Sequence, residues 1–251
     1  MIILISPAKT LDLTAKAAID TYSTPLFTDR SAKLVKELKK YSPPKLEKLM
    51  KISRKLANLN YERFQEWHLP FTPENSKQAL FAFRGEVYTG IDADTMTDKD
   101  IGFAQQHLRI LSGLYGILRP LDFIQAYRLE MGTPLKFDKY KNLYQFWGDS
   151  ITQTIKIEAG KTLINLASNE YYKAIDPKKA DCRIITPIFK EFKNGSYKFI
   201  SVYGKKARGL MTRFIISNKI SDSENLKLFD VDGYFFNDRL SDGDDWVFTR
   251  G

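Results

Sequence analysis

The chain has 251 residues, 43% hydrophobic and 13% aromatic, enough to bury a sizeable core as one large domain or two small ones. Thirty-nine lysine and arginine residues against 30 acidic ones leave a charge of +9, which favours nucleic acid, anionic membranes or acidic ligands without choosing among them. The single cysteine, Cys182, excludes an intramolecular disulfide and a cysteine-based zinc site, and no apolar run approaches the roughly 18 residues of a membrane span, so a soluble protein of a reducing cytosol is expected.

The opening Met-Ile-Ile-Leu-Ile-Ser-Pro is too short for a signal-peptide core and reads as a buried strand, Ile2 to Ile5, ended by Ser6-Pro7. Leu34, Val35 and Leu38 fall at helical spacing within Ser31 to Lys40, and Pro43-Pro44 starts a new helix. Lys45 to Trp67 divides near Ser53 into two short helices joined by a tight turn. Asn75 to Phe83 is expected to be helical, and Gly85 to Gly90 a turn or short extended piece. Thr97-Asp98-Lys99-Asp100 resembles a capping box opening a helix through Leu111, followed by a turn-rich connection containing Gly113, Gly116 and Pro120. Leu143 to Ala159 regains helical spacing before Gly160. Thr162 to Leu166 is a compact apolar strand. Asn194-Gly195 between Arg183–Phe192 and Tyr197–Tyr203 predicts a β-hairpin leading into a helix over Lys205 to Lys219, and Trp246 to Thr249 a last strand. With no internal repeat or composition break, the expectation is a mixed α/β (α+β) single domain over 1–251, a central sheet flanked by helices.

Three constellations carry candidate chemistry. Ser6-Pro7-Ala8-Lys9-Thr10 leaves the first strand in a turn that can offer N–H groups, hydroxyls and a lysine to an anion, though it lacks P-loop glycines and is also an ordinary strand exit. Lys205, Lys206, Arg208 and Arg213 cluster at the expected start of a helix, where the backbone dipole also favours anions; a solvated basic face is the alternative. Around Ile52 to Leu56, Lys51, Arg54 and Lys55 sit between the two short helices, either as a helix-hairpin-helix grip on phosphates or, since the usual glycine pair is absent, as a plain helical pair. Asn169 and Glu170, with Arg128 and Glu130, could orient a nucleotide or base, or form buried ion pairs. His68 and His107 stand far apart without a metal-ligand pattern, so neither metal nor cofactor is expected.

Several segments together resemble the YaaA family of bacterial peroxide-stress-response proteins. They are Ile-Ser-Pro-Ala-Lys-Thr-Leu-Asp at 5–12, Gly-Glu-Val-Tyr-Thr-Gly at 85–90, Leu-Arg-Ile-Leu-Ser-Gly-Leu-Tyr-Gly-Ile-Leu-Arg-Pro-Leu-Asp at 108–122 and Tyr-Arg-Leu-Glu-Met-Gly at 127–132. Leu-Tyr-Gln-Phe-Trp-Gly-Asp at 143–149, Ile-Asn-Leu-Ala-Ser-Asn-Glu-Tyr at 164–171 and Lys-Lys-Ala-Arg-Gly-Leu-Met-Thr-Arg at 205–213 continue the series in family order. The resemblance implies a cytoplasmic protein of the hydrogen peroxide response, associated with lower free intracellular iron. It also implies a positively charged cleft and a helix-hairpin-helix-like element that bind double-stranded DNA largely without regard to sequence. By the same resemblance the cleft falls on Lys9, Lys205, Lys206, Arg208 and Arg213, and the hairpin on Lys51, Arg54 and Lys55. Two readings follow: a DNA-binding stress protein with no reaction of its own, or an enzyme acting on a nucleobase or nucleotide, with Ser6, Thr10, Arg128 and Glu130 around a small ligand and Asn169 and Glu170 as candidate catalytic groups. No membrane association and no obligate protein partner are expected.

Overall fold

Ile2-Ile3-Leu4-Ile5 has no polar face, and in the computed structural model, which describes residues 1–15, 17 and 19–251, it is the central strand β1 (Ile2–Ile5), buried along its whole length. Three helices follow: α1 (Thr28–Leu38), α2 (Pro43–Met50) and α3 (Arg54–Glu66). Next come α4 (Glu86–Ile91), α5 (Asp98–His107), β2 (Leu108–Ser112) and β3 (Gly116–Leu118). The second half supplies α6 (Leu143–Trp147), α7 (Ser150–Glu158), β4 (Thr162–Leu166), β5 (Arg183–Lys193), β6 (Ser196–Lys198) and α8 (Ser201–Ser217). Strands β7 (Phe235–Phe236) and β8 (Asp245–Arg250) close the chain.

The main sheet runs β7-β8-β5-β4-β1-β2-β3, with β6 paired to β5 off this path. Strands β8, β5, β4, β1 and β2 are parallel neighbours, while β3, β6 and β7 pair antiparallel. The chain leaves β1 for β2 on one side and then returns to β4 on the other. The carboxyl ends of β1 and β4 therefore flank a topological switch point, where open α/β sheets place their ligands. The expected mixed α/β architecture, a central sheet flanked by helices around one core, is what the chain adopts.

Local signals with a defined backbone demand are realised. Thr97 and Asp100 form a reciprocal capping box. Asn194 (φ 53°) and Gly195 (φ 76°) both take the left-handed region between β5 and β6. Other expectations are corrected by tertiary pairing. Within the expected helix Asn75 to Phe83, only Ala79–Ala82 is helical. Lys77–Gln78 instead pairs with Phe123–Ile124, and the Gln78 amide donates to the carbonyls of Ile19 (2.8 Å) and Thr21 (3.0 Å). Gly85 to Gly90, expected as a turn or short extended piece, instead caps and forms most of α4 (Glu86–Ile91), and Gly90 lets this helix lie directly on α8: a Cβ there would stand 2.4 Å from the Lys206 carbonyl oxygen. The helix expected through Leu111 ends at His107, since β1 recruits the following residues, with Leu108, Ile110 and Leu111 around a buried Arg109, as the parallel strand β2. The connection after it is a hairpin, with Ser112 opposite Gly116. The single helix expected over Leu143 to Ala159 is broken at Gly148 (φ 48°) into α6 and α7. Helix α8 begins at Ser201 rather than Lys205, so its basic residues lie beyond the first turn, where the dipole argument no longer applies.

Candidate functional site

The register Ile5↔Leu166 puts Ser6 beside the residues that follow β4, and the two strand ends are stitched together there. Ser6 Oγ accepts the Ser168 N–H at 2.9 Å and donates to Ser168 Oγ at 3.2 Å, while the Tyr88 hydroxyl of α4 donates to the Ser6 carbonyl at 3.1 Å. A segment from Tyr127 to Gly132 crosses the end of β2. Gly113 permits this crossing, because a Cβ there would lie 2.2 Å from the Leu129 carbonyl oxygen. The crossing delivers Glu130 to Lys9 (2.8 Å) and Arg128 (2.9 Å), and lets the Gly132 N–H donate to Glu170 at 2.9 Å.

Lys9 is largely exposed, whereas Arg128 and Glu130 are mostly buried. Burial alone would raise the Glu130 carboxyl, but Lys9 and Arg128 outweigh it and hold the group below the usual glutamate range. Three buried tyrosines back the cluster. Burial pushes the hydroxyls of Tyr88, Tyr127 and Tyr171 upward, and each acts as a neutral hydrogen-bonding group. Tyr127 pairs with Ser112 at 2.7 Å, and Ser112 in turn accepts the N–H groups of Leu114 and Tyr115. Among the described residues Arg128 Nε is buried without an acceptor, a group that a ligand oxygen or ordered water would satisfy. Among the described residues, Ser168 is the side-chain hydrogen-bond partner of Ser6.

The tertiary structure thus unites Ser6, Lys9, Arg128, Glu130 and Glu170. Asn169 opens the short helix Asn169–Tyr172 with an exposed side chain, and Thr10 lies one step away in a ladder with Arg84. Sequence reasoning did not select Ser168, Tyr88, Tyr127 or Tyr171. All four lie within the motif strings at 85–90, 127–132 and 164–171, which are the signal that could have pointed to them.

The α8 cations have separate fates, and no hydrogen bond or ion pair among the described residues joins them to the strand-end cluster. Arg213 is spent on structure, donating to the carbonyls of Ile91 (3.1 Å) and Asp92 (2.7 Å) and to the Thr95 hydroxyl. Lys206 faces Asp232 at 3.5 Å. Arg208 lies over the Phe199 ring at 6.0 Å with no carboxylate partner among the described residues, and desolvation lowers its pKa. Lys205 is exposed.

In the helix pair, α2 and α3 meet through Lys51-Ile52-Ser53. Lys51 itself takes the left-handed conformation (φ 52°) that a hairpin glycine would supply, and Ser53 caps α3 by accepting the Leu56 N–H. Arg54 is paired with Glu47, while Lys45, Lys48, Lys51 and Lys55 are exposed and have no carboxylate partner among the described residues.

A family model described as peroxide stress protein YaaA matches residues 1–240. A UPF0246 protein of Shewanella loihica is 53% identical over 254 residues, covering 100% of this chain and 98% of its own length. A UPF0246 protein of Aliivibrio fischeri is 52% identical with the same coverage. The match spans every element that builds the strand-end cluster and the basic helices, and the chain belongs to the peroxide stress protein YaaA family.

Proposed function

We propose that this protein serves the peroxide response by binding double-stranded DNA through its phosphates, with the α2–α3 turn as the principal grip. The observation carrying this reading is the distribution of charge. Residues 28–67 hold eleven lysine and arginine residues against five acidic ones, six of the nine excess charges of the chain. Of these, Lys45, Lys48, Lys51 and Lys55 are exposed and free of carboxylates around a capped helix start. Lys9, Lys206, Arg54 and Arg213 contribute less, because each already has a partner within the protein. Fluorescence anisotropy with a labelled duplex tests the reading: the pair Lys51→Glu and Lys55→Glu weakens binding at least about tenfold. Unchanged affinity overturns it.

A second reading, a nucleotide-like ligand at the strand ends, is favoured by one observation: Arg128 Nε is buried with no acceptor among the described residues, on the arginine that shares Glu130 with Lys9. Limiting of free iron is read as indirect, because among the described residues no group of three or more His, Cys, Asp or Glu side chains is placed to hold a metal ion. Calorimetry addresses both points. A nucleoside monophosphate gives a binding isotherm that Arg128→Met abolishes, and ferrous iron gives none; the opposite results remove the respective readings.

A further inference from the structure

The end of β6 and the first turns of α8 present two aromatic rings and an aliphatic side chain to water. Phe199 is 53% exposed, Val202 49% and Tyr203 45%. Such rings are ordinarily withdrawn into a core, and three exposed apolar groups within five residues form a surface rather than a stray side chain. Their surroundings are strongly cationic. From Lys190 to Arg208 there are six lysine and arginine residues and a single acidic one, Glu191. Glu191 is turned inward, bound to the Tyr234 hydroxyl and to Arg250 at 2.9 Å, so within this segment no carboxylate faces the surface. Lys198, Lys205 and Arg208 have no carboxylate partner among the described residues, and Arg208 lies against the Phe199 ring.

The helix start adds a third element. Ile200 occupies the N-cap of the seventeen-residue α8 and has no side chain able to accept a hydrogen bond, and the first turn contains no acidic residue. Its first backbone N–H groups therefore lack the side-chain acceptor that Thr97 and Ser53 supply to α5 and α3. Beside them, Val202 and Tyr203 border a recess of about 190 Å³ in which Asp232 is taken up by Lys206 and Arg250 and Glu86 stands at the edge, so the cations free for a ligand are those on the Phe199 side.

We infer that the β6–α8 corner is a binding site for single-stranded nucleic acid, with unpaired bases stacked on Phe199 and Tyr203 and the backbone phosphates held by Lys198, Lys205, Arg208 and the open N-terminus of α8. Charge complementarity selects a polyanion, and exposed ring faces select one whose bases are not already stacked in a duplex. A purely acidic peptide such as polyglutamate would satisfy the cations but has no aromatic groups to engage Phe199 and Tyr203. The inference does not rest on the α2–α3 duplex site, which is a different surface measured separately.

The test compares two labelled strands of about 20 nucleotides and equal charge, oligothymidylate and its abasic counterpart, by fluorescence anisotropy. Wild-type protein binds the oligothymidylate at least about tenfold more tightly than the abasic strand, and Phe199→Ala with Tyr203→Ala removes the difference while duplex affinity stays unchanged. Tyr203→Ala alone gives a partial loss. Equal affinity for the two strands in the wild type, or oligothymidylate binding unaffected by the double substitution, overturns the inference. So does polyglutamate displacing the oligothymidylate as well as unlabelled strand does.

Discussion

Glu130 stands between Lys9 at 2.8 Å and Arg128 at 2.9 Å, and the mostly buried Arg128 has no other carboxylate partner among the described residues. Replacing Glu130 by glutamine leaves Arg128 desolvated and unneutralised, and is expected to cost about 2 kcal/mol at neutral pH. The sign of the pH dependence follows from the depressed pKa of the folded state. The contribution is fully present above the ordinary glutamate range and fades as pH falls through that range toward the lower folded value. Urea denaturation of wild type and Glu130→Gln is therefore expected to show a stability gap at pH 7 that narrows below about pH 4. A gap independent of pH assigns the loss to packing rather than charge. Arg213 makes the complementary point: a cation chosen for anion binding in the sequence is occupied by the Ile91 and Asp92 carbonyls, and its substitution is a matter of stability before it is one of affinity.

Helices α4 and α8 cross with almost no side-chain layer between them, because Gly90 and Gly209 face each other's backbone. A Cβ on Gly209 would lie 2.0 Å from the Val87 carbonyl oxygen, a contact that only backbone movement can relieve. Gly209→Ala is expected to destabilise the protein by about 2 kcal/mol or more. Gly102, on the solvent side of α5, has nothing within 4 Å of its would-be Cβ, so Gly102→Ala is expected to stabilise by up to about 1 kcal/mol through helix propensity alone. Thermal or urea unfolding of the two variants separates crossing geometry from propensity; a neutral Gly209→Ala would mean that the helices part at no cost. Because α4 also carries Tyr88, whose hydroxyl binds the Ser6 carbonyl, this crossing ties α8 to the strand-end cluster.

At the scale of the molecule, charge is segregated rather than spread, with the 28–67 helices and the β6–α8 corner holding much of the excess. Four lysines on the α2–α3 turn without carboxylate partners among the described residues imply a log–log salt slope of about −3.6 for duplex binding, or roughly a 150-fold loss of affinity between about 50 and 200 mM salt. Reversing Lys51 and Lys55 is expected to reduce that slope by about two as well as weaken binding. A salt-independent affinity would exclude phosphate neutralisation as its source. Among the described residues no helix is long and apolar enough to cross a membrane.

Much of the fold was legible locally. The short, mainly apolar runs Ile2–Ile5 and Thr162–Leu166, each closed by polar or turn-forming residues, were readable as buried strands; Thr97 with Asp100 specifies a helix start by reciprocal hydrogen bonds; Asn194-Gly195 supplies positive φ twice. The motif strings around Ser6, Glu130 and Glu170 also marked the elements that meet at the switch point, though not that they meet. Tertiary structure alone decided whether Leu108–Ser112 would be helix or strand, since a short apolar run satisfies either until a partner strand offers its hydrogen bonds. It also decided which cations remain available. Composition counts charges, but only folding brings Glu130 to Lys9, turns Glu191 inward and leaves Lys51, Lys55 and Lys205 facing water without carboxylate partners, because ion pairing depends on side chains that are neighbours in space and distant in sequence.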